Sequence, residues 1–170
     1  MKKTLLTMVF IATVAVSLMA QRFAYVDVEY ILDNLPEYTE AQQQLDAFTE
    51  AKRQEVDVKM QKIEQAFKKF QAEQVLMTEK MKQEKIQEIE KMEREAKDFQ
   101  RGIFGPEGEL FKKRQDLIKP IQDKIFDAIQ LLAKEKSFDF ILDKSSGTQI
   151  LYSNDRYDRS QDIINTLKKK

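Results

Sequence analysis

A run of about one hundred residues, from Glu37 to about Lys136, decides most of what this chain can fold into. Gln, Glu, Lys, Ala and Met dominate it, and these residues favour helix even where packing does not choose. Apolar positions recur at helical spacing: Tyr38, Ala41, Leu45, Phe48, then Met60, Ile63, Phe67, Phe70, Met77 and Met81. They return as Ile89, Met92, Ala96, Phe99 and Ile103, in the alternating short steps that make the seam of a coiled coil. Two intervals, Phe48 to Met60 and Met81 to Ile89, interrupt the heptad. A later stretch is more regular, Phe111, Arg114, Ile118, Ile121, Ile125, Ala128 and Leu132, with Arg114 as its polar member.

Strand-forming segments flank this run. Phe23-Ala24-Tyr25-Val26-Asp27-Val28 reads as a strand, followed by a helical turn at Tyr30-Ile31-Leu32 that Asn34-Leu35-Pro36 ends. Beyond the run, Phe138 to Asp143 and Gln149 to Tyr152 flank a turn at Ser145-Ser146-Gly147, which predicts a hairpin. Asp158 or Ser160 is placed to cap a final helix whose apolar face is Ile163, Ile164 and Leu167. A lone two-stranded hairpin is only marginally stable, so the N-terminal strand should join the C-terminal pair. Both ends of the helical run then meet.

That closure fixes where the helices reverse. A reversal at the obvious breaker, Gly102 to Gly108, gives an outgoing helix of ~97 Å and a return of only ~42 Å, which cannot reach the sheet. A reversal within 78–85 gives two arms of ~70 Å each. The expected fold is therefore α+β: a long antiparallel helical hairpin on a small β-body. The body comprises residues 21–36 and 137–170, and the arm residues 37–136. Gly102, Gly105, Pro106 and Gly108 then form a kink or hinge in the returning arm.

Residues 1–20 have the layout of a secretory signal: Lys2 and Lys3, an uncharged apolar run from Thr4 to Val16, and an exit at Leu18-Met19-Ala20. Cleavage is expected after Ala20, with export to the periplasm. The apolar run falls short of the roughly 20 residues of a membrane-spanning helix. No later segment is apolar enough to span, so the mature chain is expected to lie near a membrane surface at most, with no transmembrane segment. The chain carries 29 basic and 29 acidic residues; without Lys2 and Lys3 the balance is 27 − 29, a net −2. No global basic field points to nucleic acid.

The residue types also exclude chemistry. There is no Cys and no His, which removes the commonest general base and the commonest transition-metal ligand. Ser145 and Ser146 consequently have no triad partner. The carboxylates sit among lysines, as in Glu84-Lys85 and Glu93-Arg94-Glu95, the pattern of a solvated coiled-coil face. Gly102 to Gly108 lacks the Lys-Ser/Thr ending of a phosphate loop. Asp155 to Asp162 lacks the alternating ligands of a calcium loop. Nothing points to an enzyme, a cofactor or a metal. The Met and Phe residues of the arms read either as seam or as exposed binding surface. The adjacent Val75, Leu76 and Met77 are too broad a group for a seam. Met60, Phe67, Phe70, Leu76, Met77, Met81 and Met92 are therefore the candidate residues for contacting apolar partners.

In its order of elements the chain resembles the Skp/OmpH family of periplasmic chaperones. The resemblance rests on the signal segment, Phe23-Ala24-Tyr25-Val26-Asp27, the long charged helical run and Ile121-Gln122-Asp123-Lys124-Ile125. It closes with Phe140-Ile141-Leu142-Asp143, Tyr152-Ser153 and Asp162-Ile163-Ile164. Phe104 to Leu110 looks like the version seen in the Bacteroidetes branch of that family. The resemblance implies a homotrimer whose arms enclose unfolded outer-membrane proteins without ATP. Three strands per chain make a core too small to stand alone, which independently favours oligomerisation. Phe23, Tyr25, Val26, Phe140, Ile141, Leu142, Ile150, Leu151 and Tyr152 are the expected interface. Familiar members of the family are strongly basic and this chain is near neutral, so no lipopolysaccharide-binding residues are carried over. A structural coiled-coil spacer or tether of the envelope is the alternative reading.

Overall fold

The computed structural model describes residues 21–147 and 150–169. The expected signal segment, and Gln149 of the expected second hairpin strand, lie outside the described residues. Two compact units divide the chain, one drawn from both ends up to Asn34 and from Lys124 onward, the other Leu35–Asp123.

In the first unit, β1 (Phe23–Val26) pairs in parallel with β2 (Phe140–Asp143), in the register Phe23 to Phe140 through Val26 to Asp143. Parallel strands need a long crossover between them, and the helical run supplies it. On the other edge of β1 the Arg159 amide donates to the Tyr25 carbonyl at 2.9 Å. Helix α1 (Val28–Asp33) is capped by Asp27, whose Oδ1 accepts from the Tyr30 amide at 2.9 Å. The other carboxylate oxygen of Asp27 pairs with Lys144 at 3.3 Å. Tyr25, Val26, Ile31, Ile163 and Ile164 are buried at the centre of this unit.

The second unit is a helical hairpin. Helix α2 (Pro36–Glu73) starts with proline in its first turn, where the missing N–H is no loss. A single 3-10 turn, Gln74–Leu76, ends it. Helix α3 (Glu79–Phe104) begins at once, with Thr78 accepting from the Met81 amide. Glu73 lies near Lys85, Phe67 and Met60 lie across from Glu93 and Gln100, and Lys59 sits over Phe99, so the two helices run antiparallel. The break falls at Gln74 to Thr78, just ahead of the interval 78–85 inferred from length, most of which is helical. Threonine capping and an extended Met77 make this turn without glycine or proline.

Helix α4 (Glu109–Lys136) follows the turn at Gly105 to Gly108. Glu109 acts electrostatically on Lys52, so the chain keeps its returning direction through that turn. Gly102 differs from the other expected hinge residues: it is helical, inside α3. Pro120 is accommodated within α4. The last helix, α5 (Ser160–Lys168), starts where Asp158 accepts from the Ser160 amide at 2.8 Å. Ser160 Oγ is not a cap; it accepts from the Asp27 amide at 2.9 Å.

Among the described residues the expected β-hairpin is not formed. Residues 150–152 are not strand, and β2 pairs with β1 alone among the described strands. The reason is local. Asp143 accepts from the amide of Ser145 at 2.9 Å and from its hydroxyl at 2.7 Å, while Ser146 Oγ donates back to the Asp143 carbonyl. These bonds favour a turn over strand continuation. Leu151 and Tyr152 emerge 91% and 83% exposed.

Candidate functional site

The hairpin's seam determines which apolar side chains remain outside it. On α3 the buried residues Ile89, Ala96 and Ile103 recur every seventh position, with half-buried Met92 and Phe99 between them. On α2 the half-buried line runs Phe48, Lys52, Val56, Lys59, Ile63, Ala66, Phe70. It is continuous through the interval that looked irregular in sequence, because two of its members are lysines. Lys59 and Lys52 lay their ammonium groups over the Phe99 ring at 4.8 and 5.8 Å, with the aliphatic stems along the seam. Hydrophobicity alone hides these positions; the aromatic residue facing them was their only signal.

Met60 and Phe67 sit beside this line, 55% and 47% exposed. With Ile63 they form the apolar wall of a groove of about 720 Å³, whose opposite rim is Glu93, Lys97 and Gln100. At the tip, Val75 and Leu76 are 83% and 87% exposed, and Met81 is also exposed. The seven arm candidates therefore divide. Met60, Phe67, Leu76 and Met81 face solvent, whereas Phe70, Met77 and Met92 are half-buried. Sequence pattern missed Val58 and Ile86 and placed Phe111 in the regular apolar stretch, yet all three are exposed apolar residues of the same unit.

Ion pairs cover the polar faces at helical spacing, among them Lys52–Glu55, Lys82–Glu79 and Lys85–Glu88. The hydrogen bond and charge of Lys68 lower the pKa of Glu64, and those of Lys85 lower that of Glu88. Such pairs hold helices soluble and carry little stability. They offer no enclosed, desolvated carboxylate for acid–base chemistry.

The body exposes a second apolar surface. Phe23 and Phe140 stack with ring centres 5.5 Å apart, and Leu142, Leu151 and Tyr152 are exposed. Tyr25 and Val26 are buried within the chain itself, 5% and 1% exposed, which removes them from any surface; Ile141 and Ile150 are intermediate.

A family model described as outer membrane protein (OmpH-like) matches residues 22–167, from the first strand through the last helix. The chain belongs to the OmpH-like family. Its fold is shared with a solved structure of a candidate outer membrane chaperone (OmpH-like) from Caulobacter crescentus CB15. The TM-score is 0.72 at 9% identity, over 86% of this chain and 83% of that one. No curated protein matches the chain. Among the described residues, no helix is long and apolar enough to cross a membrane.

Proposed function

We propose that this OmpH-like chain is an ATP-independent periplasmic holdase that binds unfolded outer-membrane proteins. The observation that carries the reading is the off-seam apolar surface of the arm: Met60 and Phe67 in the groove, Val75, Leu76 and Met81 at the tip. A hairpin serving only as a spacer needs an apolar seam and no exposed stripe beside it. Flexible methionines and polar rims suit clients of varied sequence. Family membership and the relative's description as a candidate chaperone support the same role.

Self-association belongs to the proposal. Phe23, Phe140, Leu142, Leu151 and Tyr152 form an exposed aromatic and apolar surface on a two-stranded sheet, which is too small to be stable uncovered. A homotrimer would cover it and set three arms around a client cavity. The turn at Gly105, Pro106 and Gly108 serves in this reading as a hinge that adapts the arms to client size. Mass measurement in solution checks the assembly: the mature chain is expected at three times its monomer mass, and a stable monomer contradicts the cage. Dilution of a urea-unfolded outer-membrane barrel checks the activity. A holdase suppresses its aggregation near stoichiometric amounts without nucleotide; an envelope spacer leaves it unchanged.

A further inference from the structure

Three arginines converge on aromatic rings in the body. Arg22 and Arg159 both lie over Phe138, with guanidinium carbons 5.6 and 5.8 Å from the ring centre. Arg156 stacks on Tyr157 at 4.6 Å and donates to its hydroxyl at 2.6 Å. With Lys136 they line a cleft of about 760 Å³, in which Asp162 is the one carboxylate residue, 3.8 Å from Arg159 Nε. The Asp139 carboxylate beside Arg22 accepts from that residue's backbone amide at 2.7 Å. Four cationic side chains against Asp162 in the cleft and Asp139 beside it are a local excess on a chain whose totals balance.

Covering the Phe138 ring does not require this arrangement, since gathering like charges is unfavourable and an aliphatic residue would serve. Stacking holds each guanidinium by its face; Arg159 gives one N–H to the Asp158 carbonyl at 2.7 Å and Arg156 one to the Tyr157 hydroxyl, and the remaining N–H groups, with those of Arg22, offer a fork that matches an oxyanion. Beside the fork, Tyr157 is 40% exposed. The site thus combines anion recognition with apolar contact. A free phosphate would use only the first, whereas an acidic residue next to an aromatic one uses both.

We infer that this cleft binds acidic, aromatic-bearing segments of unfolded polypeptides, a second client contact in addition to the arm. The inference rests on the holdase reading for the source of the ligand. The test is fluorescence anisotropy with the native assembly and a labelled short peptide alternating Glu with Phe, against its Gln counterpart. The Glu peptide is expected to bind about tenfold more tightly or better, as charge-assisted bonds to arginine require. Arg22→Gln with Arg159→Gln should erase that preference, and Lys at both positions should restore only part of it. Arg156→Gln, on an exposed side chain, should reduce the preference about threefold without touching the Phe138 stack. Met60→Ser with Phe67→Ser should leave the preference intact. Equal affinity for the two peptides overturns the inference, as does a preference that survives the double glutamine variant. Displacement by inorganic phosphate as effective as by unlabelled Glu peptide also overturns it. Aggregation suppression is measured in parallel: its loss with the Glu preference retained rejects the holdase reading and not the cleft.

Discussion

Asp143 ends β2 and holds the body's first helix. Burial opposes its ionised form, but hydrogen bonds from the hydroxyl and amide of Ser145, the Val28 amide and Ser146 outweigh that and lower its pKa. A lowered carboxyl pKa gives stability that is complete above the ordinary value of about 4 and is lost as pH falls through the folded-state value. Urea midpoints measured from pH 7 to pH 3 should therefore fall in acid. Asp143→Asn should cost about 1–2 kcal/mol at neutral pH and flatten that dependence. Ser137 offers the opposite case. It takes a left-handed φ of 51° just after α4, where the Phe138 amide reaches back to the Ala133 carbonyl at 3.0 Å. Glycine is the residue this helix ending favours, so Ser137→Gly should stabilise by about 1 kcal/mol in thermal unfolding. At this scale the sequence was partly legible. Asp158, an expected cap of α5, accepts from the Ser160 amide from one position ahead of the actual cap, Arg159, and nothing local shows that Ser160 would bond Asp27, far away in the chain.

The elements show where pattern reading succeeds and fails. Heptad spacing on α3 is readable because each seam residue there is apolar: Ile89, Met92, Ala96, Phe99, Ile103. On α2 it is obscured by Lys52 and Lys59, whose fit depends on a ring of the partner helix. Phe99→Ala should therefore destabilise the hairpin by about 2 kcal/mol, more than its half-burial alone would suggest. The glycines of the returning arm separate by the space around them. A Cβ at Gly108 would collide with the carbonyl oxygens of Ile103 and Gly102, whereas one at Gly102 would meet nothing within 4 Å. Gly108→Ala should lower thermal stability by about 2 kcal/mol, and Gly102→Ala should raise it by about 1 kcal/mol. Strand pairing was half legible. The N-terminal strand joins Phe140–Asp143 as expected, whereas the segment after Gly147 has strand-like residues that serine and aspartate side chains turn away.

For the molecule as a whole, the lack of His and Cys and the expected export signal of residues 1–20 point in the sequence to a binding role rather than to catalysis. The fold then distinguished seam from surface, a distinction composition cannot make: Phe67 and Phe70 are both phenylalanines of one helix, and only Phe67 is exposed. The central claim is that the off-seam residues of the arm hold unfolded outer-membrane proteins. The direct measurement is light scattering of a urea-unfolded barrel diluted into wild-type protein or into a Met60→Ser, Phe67→Ser, Leu76→Ser variant of unchanged helicity and mass. The account predicts that wild type suppresses aggregation near stoichiometric amounts and that the variant needs about tenfold more protein, the loss of a few apolar contacts. Equal suppression by both would contradict it.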